Sequence, residues 1–199
     1  RANLSRADLV RSNLTGADLS NAVLKDSDLR EAILIDCDLF RVDARGASFP
    51  GANILNANLS DADLSGVDLS YANLSDSDLS FARLVSANLS GADLLDTNLS
   101  DADLSGANLS NANLKFARLG GANLRNAKLE HTKLAYAKLE DANLKGADYA
   151  HADLTGIDLR KFNLSEANFI EANLRDANLS DADLESANLE GADLSDANL

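Results

Sequence analysis

Tryptophan and methionine are absent from the 199 residues, and phenylalanine and tyrosine together number only nine. Ordinary globular cores fill space with side chains of mixed size and shape, and this composition excludes such a core. A single cysteine, Cys37, excludes an internal disulfide framework. No apolar run is long enough to span a bilayer and no signal-peptide pattern opens the chain, so membrane insertion is not expected. Positive charge is scarce. Lys and Arg number 18 against 32 Asp and Glu, and the net −14 disfavours direct contact with nucleic acid or an anionic membrane. Two histidines, no glycine-rich phosphate loop and no cysteine cluster leave little for catalysis. Neither an enzyme nor a cofactor is expected, and no catalytic, cofactor-binding or metal residue is assigned. What is present is leucine and alanine. At 45% hydrophobic and 25% charged residues the chain is expected to be ordered.

The leucines keep a period of five. Of the 40 positions 4, 9, 14 and onward to 199, 35 are Leu; the exceptions are Ala44, Phe49, Ile54, Tyr149 and Phe169. Two residues earlier 30 of the 40 are Ala, and one residue earlier 32 are Asp or Asn. On a helix this spacing advances the apolar residue by about 140° each time, and on a straight strand it alternates faces. The pattern works only if the chain turns in every repeat. Ala and Leu then point inward from a short extended piece, Asp or Asn points outward, and the last two residues make the corner. Ten of the 11 glycines lie two residues after the central site, where a turn requires positive φ. A solenoid of stacked short strands around a leucine core follows.

The unit Ala102-Asp103-Leu104-Ser105-Gly106, an A[D/N]LXX sentence, resembles the pentapeptide-repeat family, and the resemblance covers the whole chain. It implies an all-β solenoid, a right-handed quadrilateral parallel β-helix with four repeats per 20-residue coil. Forty repeats would make about ten coils, roughly 48 Å long at about 4.8 Å per coil. Unusual residues recur 20 apart, as in Phe116/Tyr136, His131/His151 and Tyr149/Phe169. The chain begins at Arg1 and ends at Leu199 in mid-repeat with no visible cap. A single solenoid over 1–199, part of a longer chain, is therefore expected, with end-to-end or side-by-side self-association possible.

The informative residues are those that depart from the repeat. Residues 42–51 (VDARGASFPG) exchange a core Leu for Ala44, follow it with Phe49 and place Pro50 at a corner, which predicts an irregular coil. Ile157 and Phe162 fill the small Ala slot and predict a second distortion. Cys37, also in that slot, reads as a small buried hydrophobe. Tyr149 and Phe169 are expected to stack inside, the tyrosine hydroxyl needing a partner or water. On the four-sided arrangement His131, His151 and Glu171 share an exposed column of zinc-type ligands, more simply read as solvated.

Charge is uneven: −1 over 1–55, −8 over 56–114, +3 over 115–161 and −8 over 162–199. In the third block Lys128, Lys133 and Lys138 replace Asp or Asn in successive repeats, and Arg118 should stack on Lys138. This basic belt is a candidate docking zone. In the 20-residue coil Ile33, Ile35, Leu55, Leu95, Phe116 and Tyr136 project from one side, a candidate protein-interaction face. Function then reads as a non-catalytic rod presenting flat sides to a protein partner.

Two alternatives stand beside it. Some members of the family that the chain resembles imitate duplex DNA and bind DNA gyrase or related topoisomerases. Duplex of the same length carries about 28 charges, however, and no C-terminal dimerising helix is visible here. The solenoid could also serve as a spacer or targeting module of a larger protein. Asn-Leu-Ser and Asn-Leu-Thr sequons arise from the repeat itself and fit a bacterial or otherwise unglycosylated setting better than a secreted eukaryotic one; a bacterial cytoplasmic location is expected.

Overall fold

The computed structural model describes residues 2–199, and one turn-and-bridge pattern recurs in its repeats. The residue in the Asp/Asn slot forms a parallel bridge with the residue 20 positions on, from Asn3↔Val23 to Asn178↔Asn198. Four columns of bridges therefore run along a β solenoid. The short strands expected from sequence are reduced to isolated bridges, because the chain turns before a second residue can join the ladder.

One repeat shows why the five positions take the residues they do. Asp103 N–H donates to Ala82 in the coil before (2.9 Å), while Leu104 and Gly106 donate to Asn123 and Arg125 in the coil after (2.8 and 2.9 Å). Ala102 N–H closes the preceding turn on Leu99 (3.1 Å). That leaves the Ser105 N–H, and the Asp103 carboxylate accepts it at 3.1 Å. All five backbone donors are satisfied. The Asp/Asn slot is thus a turn cap as well as an outward residue. Its side chains also join along a column, as where Asn98 Nδ2 donates to Asp78 Oδ1 at 2.9 Å.

Every corner from residue 6 to residue 196 has positive φ, in 29 non-glycine residues and ten glycines. Fourteen of the 29 are Asp or Asn, which tolerate this region best after glycine. The bulky exceptions Tyr71, Phe81, Phe116 and Tyr136 stand out for that reason.

Leu and Ala fill the interior; toward the ends Leu4, Leu9, Leu14, Leu184, Leu189 and Leu194 are half-buried, and Leu199 is exposed. Tyr149 and Phe169 stack inside at 4.9 Å and 10°, but the Tyr149 hydroxyl finds no partner. Where the Ala slot holds Ser77, Thr97 or Thr132, the hydroxyl donates to the carbonyl 23 residues earlier, at 2.6–2.9 Å. Cys37 does the same through Sγ to Leu14, and burial raises its thiol pKa. It is a packing residue.

The irregularity expected at 42–51 does not reach the backbone. Asp43 and Ser48 keep bridges on both sides, and Ala44 and Phe49 are buried. The small residue and the large one occupy neighbouring core sites of one coil, so their volumes compensate.

The distortion expected at 157–162 is real. Among the described residues the column of bridges lapses only at Lys138/Asp158 and Asn143/Asn163. Leu139, Asp141, Leu144 and Gly146 lack the forward hydrogen bonds that Leu119, Gly121, Leu124 and Asn126 make one coil earlier. Ile157 and Phe162, in slots cut for alanine, hold the two coils apart along two of the four sides. Amides of Leu139 and Leu144 should therefore exchange with solvent at least about tenfold faster than those of Leu119 and Leu124. Equal protection would show the seam closed in solution.

Candidate functional site

The seam borders the most distinctive surface of the rod. Phe116 and Tyr136 are successive corners of one column, φ 60° and 59°, with stacked rings 5.6 Å apart at 8°. Both remain about half exposed, at 48% and 52%. The next corner is Gly156, and a Cβ there would lie 2.4 Å from Tyr136 Cε1. The glycine provides the slot into which the ring leans. Gly91 does the same for Tyr71.

Arg118 and Lys138 face outward in the adjoining column and bridge to one another. With Asp96 and the two rings they enclose a recess of about 350 Å³. Tyr136 and Lys138 also line the open seam, a groove of about 750 Å³ whose far wall includes Asp158, Arg160 and Phe162. Arg160 pairs with Asp158 at 2.5 Å and lowers its carboxyl pKa.

Cations near the start of the rod are mostly neutralised locally. Arg11 meets Glu31 and Arg41 meets Asp61. Arg45, then Lys25, holds the Asp43 carboxyl down to about 2. Among the described residues no carboxylate lies within ion-pairing distance of Arg118, Lys128, Lys133 or Lys138.

The structure gathers only part of the candidate face. Phe116, Tyr136, Arg118 and Lys138 form one patch. Lys128 and Lys133 bridge to Asp148 and Asp153 on other sides of the coil. Ile33 is exposed, whereas Ile35, Leu55 and Leu95 are half-buried, with Ser75 and Asp76 intervening along that side. There is no continuous apolar stripe. Tyr71 and Phe81, at 75% and 59% exposure, are not among the sequence candidates, although an aromatic at the second corner position was a legible signal for both.

The family description "Pentapeptide repeats" matches in eight copies: residues 1–36, 37–76, 57–95, 72–111, 87–130, 107–146, 122–160 and 163–199. The chain belongs to the pentapeptide-repeat family. Within it, the chain is similar to HetL, a pentapeptide repeat protein involved in heterocyst differentiation regulation in the cyanobacterium Nostoc. Identity is 35% over 96% of this chain and 89% of HetL, with a TM-score of 0.46. A second Nostoc pentapeptide repeat protein is 36% identical over 53% of this chain and 82% of its own, TM-score 0.37. A pentapeptide repeat protein from the Arabidopsis thaliana thylakoid lumen is 31% identical over 52% and 68%, TM-score 0.39. Among curated proteins, none matches significantly. The two residues outside every pentapeptide-repeat match are Lys161 and Phe162, at the open seam.

Proposed function

We propose that this chain is a non-catalytic, protein-binding rod, a right-handed quadrilateral β-helix of about ten coils given its 199 residues and 20-residue register. Its docking site is the patch of Phe116, Tyr136, Arg118 and Lys138. The observation that carries this reading is one juxtaposition. Two stacked, half-exposed aromatics stand beside two cations without carboxylate partners, on the rim of the one break in the ladder among the described residues. Aromatic and Arg anchors flanked by recesses dominate binding energy at interfaces. The cations call for an acidic partner surface with an apolar side chain to lie against the rings. The column of Asp38, Asp78 and Asn98 is interrupted by the Arg118–Lys138 step, which disfavours an uninterrupted imitation of DNA.

The test is photocrosslinking from position 136 in the host cell, with position 71 as control, followed by affinity measurement on the purified crosslinked protein. Phe116→Ser with Tyr136→Ser should weaken that complex by about thirtyfold, the equivalent of about 2 kcal/mol. Lys138→Glu should weaken it less and flatten its salt dependence. Unchanged affinity in both variants would overturn the assignment, and inhibition of DNA gyrase supercoiling by the wild-type chain would favour the DNA-mimicking alternative.

A further inference from the structure

The corner column next to that of Phe116 and Tyr136 carries His131, His151 and Glu171 at 20-residue intervals, with φ 57°, 58° and 52°. The two imidazoles stack at 4.6 Å and 13°. Glu130, the residue before His131 in the same corner, brings its carboxylate to 3.6 Å from His131 Nε2. One ligand atom from each of Glu130, His131 and His151 lies within 4.8 Å of the other two. Glu171 reaches back to His151, with Oε2 at 3.2 Å from Nδ1.

We propose that Glu130, His131 and His151 bind a divalent transition-metal ion of the zinc type, with Glu171 as a positioning residue. Ligands held at about 2.0–2.1 Å around a tetrahedral ion stand roughly 3.3 Å from each other. The Glu130–His131 pair is already close to that separation. A carboxylate on Nδ1 leaves Nε2 of His151 for the ion, the usual arrangement of a metal-binding histidine and its supporting acid. Imidazole with carboxylate favours zinc over magnesium or calcium. The rings now lie nearly parallel, so closing on one ion requires the imidazoles to turn toward each other. The three side chains are between 34% and 53% exposed, which leaves them room to do so. Three protein ligands would leave the fourth position to water.

The site does not build the fold, since the backbone N–H groups of His131 and His151 already bond to the carbonyls of Ala150 and Ile170. Its effect lies elsewhere. His131 belongs to the coil 131–150 and His151 to the coil 151–170, and these are the two coils whose ladder lapses between 138/158 and 143/163. A bound ion would be a clip across the most weakly joined pair of coils, placed on a side where their backbone contact is intact.

Calorimetric titration of the untagged chain with Zn2+ tests this. One saturable ion per chain is expected, and Co2+ in its place should give the absorption of a low-coordinate site. Glu171→Gln should weaken binding by about tenfold, while His131→Ala and His151→Ala should each weaken it more, with circular dichroism unchanged. Zinc should also slow amide exchange in residues 157–199 of the wild-type chain and not in the His131→Ala/His151→Ala double variant. No saturable binding by the wild-type chain would overturn the proposal. So would equal binding by the double variant, which would assign the ion to scattered surface carboxylates.

Discussion

Phe169→Ala should destabilise the rod by about 3–5 kcal/mol, the upper range for truncating a buried aromatic. Phe169 is fully buried, and its ring lies flat on Tyr149. The site has little freedom to collapse after truncation. Asn168 bridges to Asp148 below and Asn188 above, and Phe169 N–H donates to Asn188, so the backbone on both sides is fixed. The cavity therefore persists and Tyr149 loses its main contact. In a solenoid such a loss is local, because each coil is stabilised by its neighbours alone. Hydrogen exchange should show residues 157–199 opening first in the variant, with 22–120 retaining wild-type protection. Uniform loss of protection along the chain would mean that the rod unfolds as one unit and would contradict this account.

Tyr149→Phe should do the reverse and stabilise by about 1–3 kcal/mol, the cost of a buried hydroxyl without a partner. The Tyr149 oxygen is enclosed and no group accepts its proton, while the ring contributes the same packing in either residue. Burial also pushes the phenol pKa far above its ordinary value. A raised phenol pKa means that the folded state holds the proton more tightly than the unfolded chain. Ionisation therefore costs nothing below the unfolded value of about 10. Above it the wild-type chain should lose about 1.4 kcal/mol per pH unit relative to Tyr149→Phe. Urea midpoints of the two proteins at pH 8 and pH 11 measure both effects. A variant less stable at pH 8, or a gap that does not widen at pH 11, would refute the assignment.

Much of this architecture was readable from the order of residues. The pairs Phe116/Tyr136, His131/His151 and Tyr149/Phe169 stand 20 apart, and each is a stack in space. Ile157 and Phe162 were too large for their slots, and the ladder lapses beside them. What the repeat could not convey is how neighbours across a coil share a burden. Ala44 and Phe49 compensate within one layer, a property of their summed volume and not of either residue. The role of Asp and Asn in capping each turn depends on a bond two residues along the chain, which an outward-facing position conceals. Phe116 and Tyr136 gained importance from Arg118, Lys138 and the groove beside them. The apolar set from Ile33 to Leu95 lost it, because the residues between are polar or covered. Which cations remain without carboxylates is decided by side-chain reach, as at Arg11 and Arg41, and periodicity carries no information about that.

A chain of near-identical units also faces an indexing problem. A coil wound one repeat early would still turn alanine and leucine inward at most of its positions, and each repeat would offer the same backbone donors and acceptors. Only matched departures from the repeat distinguish the correct phase. The slots at Gly91 and Gly156 are of this kind, since a slip of five residues would set the rings of Tyr71 and Tyr136 against a side chain where they now find none. The Tyr149–Phe169 stack would likewise be split and each ring left against leucine. These pairs serve as keys that fix the winding, and the uniform stretch between them is where a whole coil could be gained or lost without disturbing the rest.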